Sequence, residues 1–393
     1  MRRGIAGVLC GVMLASLLVE GAWAAQPEGT VDPGQQEQAM SSIQNFFDVP
    51  EDAYYAGAAY WAVGRGMVSG TGERLFEPDA LCTNAQVVTM LWRGVGSPEP
   101  VGANPFSDVS AGTYYEKAAV WAYEAGLVSG AEFYGEQPCS RGAIVTMLWK
   151  LAGQPAAQSQ AGGDWNLRLV NAWNAVPQDF AVELAPVEGC QYSVDARCAD
   201  ALNQMLADCW AAGYSPLVCS GYRTQQTQER LFSQAVDKWM GRGMSRADAE
   251  RTAARSTAVP GTSEHQLGLA ADIIDIHYPK LNEAQASRPT QKWLMEHCWE
   301  YGFILRYPED KSEQTGIIYE PWHYRYVGVE AAQAIREQGV CLEEYLQWRA
   351  QYQSAVAWAW EKGITASATV EGFAPEATCT RAQLVTFLHQ ALA

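Results

Sequence analysis

SEHQLGLAADII, Ser263 to Ile274, and GIIYEPWHYRYVG, Gly316 to Gly328, are the stretches that decide what this chain can be. His265 and Asp272 stand seven positions apart, and the β-rich LGLAADII between and beyond them reads as a strand leaving a loop. One ring nitrogen and one carboxylate oxygen follow. His323 in the second stretch supplies a third donor, and three protein ligands with one open position are what catalytic zinc requires.

Glu320 stands three residues before His323, with Pro321 between them. A proline disfavours helix for the residue before it, so this is not the helical H-E-x-x-H arrangement. On a bent or extended segment the two side chains can still converge on one pocket. There the Glu320 carboxylate would take a proton from water whose pKa zinc has lowered toward about 7.

Upstream, ARCADALNQMLADCWAAG is an amphipathic helix ending at Gly213, and the strand PLVCS then delivers SGYR, Ser220 to Arg223. Zn²⁺ with Asp272 and an ionised Glu320 carries no net charge. A substrate with a free carboxylate therefore needs a separate cation, and Arg223 offers a bidentate fork, which favours a carboxypeptidase over an endopeptidase. Trp322 reads either as a wall of the substrate pocket or as a core tryptophan. A further helix from about Gln225 carries Gln228, and another opens at Ser245 as its cap. H-x6-D and E-P-W-H are each weak signals alone, yet with SGYR, in a chain holding five histidines, they define one metal centre. His277, His297 and His389 lack such company and read as structural or solvated.

SGYR, S-x-H-x-x-G-x-A-x-D and E-x-W-H, in that order, resemble the three motifs of the VanY-type D-alanyl-D-alanine carboxypeptidases. The resemblance spans nearly all of the stretch from Trp165 to about Gly339. It implies that His265, Asp272 and His323 bind one zinc ion and that Glu320 is the catalytic base. It also implies that Arg223, Gln228 and Ser263 contact substrate, with Thr224 departing from the serine usual after SGYR. The implied activity removes a terminal D-alanine from peptidoglycan stem peptides. L,D-carboxypeptidase action on tetrapeptide stems, which relatives with the same motifs show, stays open, as does a wall-binding protein without catalysis; the intact ligands and base speak against the latter.

The rest of the chain repeats itself. FFDVP at Phe46 returns as FSDVS at Phe106. AYWAVGRGMVSG from Ala59 returns as AVWAYEAGLVSG from Ala119 and, more loosely, as AVAWAWEKGITAS from Ala355, while VVTMLW, IVTMLW and LVTFLH begin at Val87, Ile144 and Leu384. Each copy reads as helix, glycine-bearing loop, helix, with Trp61, Trp121 and Trp358 equivalent. Thr83, Ser140 and Thr380 are N-caps of the second helices, and Gln86 and Gln383 complete capping boxes. A single helical hairpin cannot bury its apolar face, so the three copies should pack together. They resemble the S-layer homology (SLH) repeat, which implies a three-repeat unit holding a secondary cell-wall polysaccharide through the arginine that opens the second helix. Arg141 and Arg381 keep that position and Asn84 replaces it in the first copy. Helix-surface arginines without a ligand are the alternative.

The expected organisation is a signal peptide at 1–24, a linker at 25–44, repeats at 45–97 and 105–153, a linker at 154–164, the peptidase domain at 165–340 and a third repeat at 345–393. The fold class is thus an α+β zinc peptidase domain, a small antiparallel sheet with helices, inserted in an all-α three-repeat module. Arg2 and Arg3, an apolar run to Val19 and Ala22-Trp23-Ala24 mark export to the cell wall or surface; the run is short for a bilayer span. At 393 residues and 48% hydrophobic the chain can bury more than one core, and a net charge of −17 argues against nucleic acid or anionic lipid as partner. Of ten cysteines, Cys10 leaves with the signal. Cys190, Cys198, Cys209 and Cys219 crowd one stretch and could either form a bridge or sit as small apolar thiols.

Overall fold

The structure, a computed structural model, describes residues 46–72, 74–155 and 164–393. The expected signal and first linker lie outside the described residues, as does most of 154–164. The chain divides into two compact units, one reaching Ser159 and resuming at Gln351, the other spanning Gln160–Ala350.

The first unit opens with two helical hairpins, α1 (Ala56–Gly64) with α2 (Asn84–Gly94) and α3 (Glu116–Glu124) with α4 (Arg141–Leu151). Thr83 caps α2 by accepting from the Gln86 N–H while the Gln86 side chain accepts from the Thr83 N–H, and Ser140 caps α4 through the Ala143 N–H. Ala85, Val87, Val88, Met90 and Leu91 form the buried face of α2. The recurring aspartate also has a structural reason. Asp48 accepts from the Phe76 and Glu77 N–H groups at 2.8 and 2.6 Å, and Asp108 accepts from those of Phe133 and Tyr134 at 2.8 and 2.7 Å, closing each hairpin loop.

The second unit holds a hairpin of β1 (Leu184–Pro186) and β2 (Ser193–Asp195), then α5 (Ala196–Ala211), β3 (Pro216–Ser220), α6 (Gln225–Met240) and α7 (Arg246–Ala254). It continues through β4 (Ala270–Asp275), α8 (Pro289–His297), β5 (Phe303–Leu305), β6 (His323–Tyr326) and α9 (Val329–Gln338). The larger sheet has the order β3-β4-β6-β5 and is antiparallel throughout. Strand β4 lies inside it and every residue is buried, so its near-continuous apolar text suits its place. Alternation along it still operates: Ala271 and Ile273 enter the core with Leu202, Met205 and Cys209 of α5, while Asp272 faces a cleft.

The chain then enters α10 (Leu342–Glu361) and ends in α11 (Arg381–Leu392), whose Thr380–Gln383 capping box matches that of α2. Around the centre of the first unit the backbone closes a cycle of hydrogen bonds: Cys82 N–H to Cys379 O at 2.9 Å, Cys379 N–H to Cys139 O at 3.0 Å, Cys139 N–H to Cys82 O at 2.8 Å. A second cycle surrounds it. Asn84 N–H donates to Gln137 O, Arg141 N–H to Ala377 O and Arg381 N–H to Ala80 O, each at 2.9 Å. Three equivalent segments are thus joined to one another in closed rings of main-chain bonds.

All nine described cysteines are free, so the bridge left open for the Cys190–Cys219 stretch does not form. Cys198 and Cys209 lie on the buried face of α5, and burial pushes both thiols up to about 12. They fill space.

Candidate metal centre

The antiparallel pairing of β4 and β6 sets Asp272 opposite His323, and cross-strand neighbours share a face. His265 arrives on the short 3-10 turn Glu264–Leu267 that Ser263 opens and Gly268 closes at φ 74. Glycine is required there twice over, since a Cβ on Gly268 would also meet the Asp195 nitrogen at 2.9 Å. The SGYR loop is tied to the same turn: the Arg223 N–H donates to the His265 carbonyl at 3.0 Å. Donor atoms of His265, Asp272 and His323 consequently lie within 4.8 Å of one another, and all three residues are buried.

The ring orientations follow from the hydrogen bonds. His265 Nδ1 is 2.8 Å from the Gly221 carbonyl, which only accepts, so Nδ1 carries the proton and Nε2, 3.3 Å from Asp272 Oδ2, keeps its lone pair. His323 turns Nδ1 toward the group, 3.1 Å from Asp272 Oδ1 and 3.8 Å from Glu320 Oε2. Two imidazole nitrogens, one carboxylate and an adjacent free glutamate are a donor set that fits zinc.

Burial, with Arg223 adding to it, depresses His265 to about 4, so its ring is neutral at ordinary pH. For His323 burial acts in the same direction, yet the Asp272 and Glu264 carboxylates outweigh it and lift the ring to about 9. Burial pushes Glu320 up to about 8, with His323 pulling the other way. Asp272 is held well below the usual carboxylate range although burial opposes this, because His265, His323 and Arg223 favour its charged form. A raised carboxylate next to a lowered one is the pattern of divided acid–base roles.

Ser263 and Trp322 line a cleft of about 690 Å³ together with Arg223, Tyr307, Tyr319 and Glu320. Gln228 does not reach it. Its side chain is wholly buried on α6 and donates to the Ala258 carbonyl at 2.7 Å, with its oxygen 3.5 Å from Arg223 Nη1. In this position it supports Arg223 and the cleft wall. Arg223 itself is more engaged than its sequence suggests. Its Nε donates to Ser220 Oγ at 3.0 Å and Nη2 to Asp272 Oδ2 at 2.7 Å. Tyr307, whose ring centre is 4.8 Å from that of His323, was not singled out from sequence; a tyrosine in FILRYP carries no motif.

In the repeat unit, Arg381 is buried, donating from Nε to Phe76 O at 2.8 Å and from Nη2 to Ser69 O at 3.1 Å. Its guanidinium is engaged by the fold, whereas Arg141 stacks 4.6 Å over Phe373.

The sheet, the three donors and the glutamate in the cleft define a metallocarboxypeptidase domain. The VanY D-alanyl-D-alanine carboxypeptidase family matches residues 191–329, and the S-layer homology domain matches 45–88 and 105–144. A D-alanyl-D-alanine carboxypeptidase of Enterococcus faecalis is 44% identical over 184 residues, 47% of this chain and 66% of that protein. Putative carboxypeptidase YodJ of Bacillus subtilis is 36% identical over 191 residues, 46% of this chain and 67% of that protein. The chain thus spans about two thirds of the length of these relatives. The solved structure of VanYB in complex with D-Alanine-D-Alanine is 43% identical, covers 47% of this chain and 98% of its own, and aligns with a TM-score of 0.43. This chain belongs to the VanY D-alanyl-D-alanine carboxypeptidase family.

Proposed function

We propose that the chain is a zinc-dependent D,D-carboxypeptidase that removes the terminal D-alanine of peptidoglycan stem peptides, and that three SLH repeats hold it to a cell-wall glycan at the bacterial surface. The observation carrying the enzymatic reading is the convergence of His265, Asp272 and His323 donors within 4.8 Å beside a buried Glu320. The cyclic closure of three hairpins in the repeat unit supports the third repeat, and among the described residues no helix is long and apolar enough to cross a membrane.

His265 through Nε2, Asp272 and His323 through Nδ1 would hold the ion. Bound there, zinc would supply Lewis acidity toward the scissile carbonyl and a water whose pKa is lowered toward about 7. Glu320 takes the proton of the attacking water and returns it to the leaving amine of D-alanine. Its burial keeps it basic enough for that task, and its value falls when a cation joins the donors beside it. Arg223, at the cleft wall, holds the terminal carboxylate, while Trp322 and Ser263 shape the pocket around the terminal residue.

Purified chain is given pentapeptide and tetrapeptide stems, with and without a chelator. The expected result is alanine release from the pentapeptide that stops on chelation. Release from the tetrapeptide instead would make it an L,D-enzyme, and release from neither would leave only the wall-binding role.

A further inference from the structure

Behind the metal centre the second unit buries four charged side chains that the proposed reaction does not use. Arg306 and Arg325 are wholly buried, Glu264 is 1% exposed and Glu343 is 8% exposed. Arg306 donates Nε to Glu264 Oε1 at 2.7 Å and its two Nη groups to Glu343 at 2.9 and 2.7 Å. Arg325 donates Nη1 to the same Glu264 Oε1 at 2.7 Å. Two cations and two anions balance, but burying them is costly, and such clusters add little net stability compared with apolar packing.

The two oxygens of Glu264 have different surroundings. Oε1 takes both arginines. Oε2 has no hydrogen-bond partner, and it lies 3.6 Å from His323 Nε2, which is buried and also lacks one. Two orphaned polar atoms of opposite character thus face each other at a separation that a small ring rotation closes. On the other side of that ring, Nδ1 is the atom among the metal donors.

We propose that Glu264 is the positioning carboxylate of the centre, accepting the Nε2 proton of His323 so that Nδ1 presents its lone pair to the metal. Arg306 and Arg325 fix Oε1 and so aim Oε2; Glu343 balances their charge. A carboxylate behind a ligating imidazole selects the tautomer and strengthens the ligand. This rests on the zinc reading above.

The test is zinc affinity of the full chain, measured by competition with a chromophoric chelator, for wild type, Glu264→Gln and Glu343→Gln. In Glu264→Gln the amide can accept from the arginines only by turning its NH₂ to His323, which then needs its proton on Nδ1. Affinity should fall about 10- to 100-fold. Glu343→Gln removes the same buried charge without touching the ring and should keep wild-type affinity. Equal affinity in wild type and Glu264→Gln, or an equal loss in both variants, overturns the proposal. A readout without any variant is the ¹⁵N spectrum of zinc-loaded wild type, where His323 should show a protonated Nε2; a metal-bound Nε2 overturns it too. Wild type that takes up no zinc sinks the functional reading beneath, a distinguishable result.

Discussion

The two units hide very different interiors. Among the described residues of the repeat unit, the buried polar side chains are Thr89, Thr365 and Arg381, and the rest of its core is aliphatic, aromatic, methionine or cysteine. The inserted unit buries Asp195, Glu264, His265, Asp272, Asp275, Arg306, Glu320, His323, Arg325 and Glu343. Ionised groups are driven out of protein interiors unless they are paired, so a fold that keeps this many has a use for them. One unit is built to pack and the other to hold a polarised site. Each can be probed where it differs most.

The largest effect belongs to the group whose removal should leave the fold intact. Glu320→Gln is expected to keep zinc and to lower kcat/KM by about 10² to 10⁴ on a pentapeptide stem. His323→Ala, by contrast, should lose the metal, as metal analysis of the purified variant would show. Normal turnover by Glu320→Gln would dissolve the contrast between the units, because the buried carboxylate would then be structural.

Arg306→Ala should destabilise the inserted unit by about 3–5 kcal/mol in denaturant unfolding, since Glu264 and Glu343 would be left buried without it. A loss below about 1 kcal/mol would mean that water reaches the cluster.

The pH response of the metal-free protein follows from His323. Its folded value of about 9 stands above the ordinary 6.5, so its contribution to stability is complete below 6.5 and is lost as pH rises through about 9. Zinc needs the ring neutral at Nδ1, so uptake releases a proton. Below about pH 8 the buried Glu320 loses its proton on uptake as well, so zinc affinity should rise at least tenfold per pH unit up to about pH 9, measured by chelator competition, and a flat profile would refute both shifts. The smallest effect is expected in the repeats, where Thr380→Ala removes a capping box and should cost about 1 kcal/mol in thermal unfolding of that unit, with zinc affinity unchanged.

Much of this architecture was legible because its signals are local. The capping boxes at Thr83 and Thr380, the strand after His265 and the helix carrying Gln228 each depend on residues within a few positions of one another. The convergence of the candidate metal donors was legible for a different reason: a histidine, an aspartate and a second histidine in ordered motifs carry chemistry that few other arrangements use. What carries no local signal is non-local. Glu264 meets Arg306 42 positions away and Arg325 61 positions away, and nothing in FILRY or HYRY distinguishes a buried arginine from a surface one. Gln228 lies on the helix its neighbours signal, but which way its side chain points depends on helix rotation, which a motif does not encode.

The ring of main-chain bonds through Cys82, Cys139 and Cys379 has a consequence for biosynthesis. Its last member, Cys379, is encoded after the whole of the inserted unit. During translation the two leading hairpins must wait with donors and acceptors exposed until residue 379 emerges, while the inserted unit already has all of its own sequence. A ribosome that stops before Cys379 would release an intact inserted unit beside hairpins whose ring cannot close.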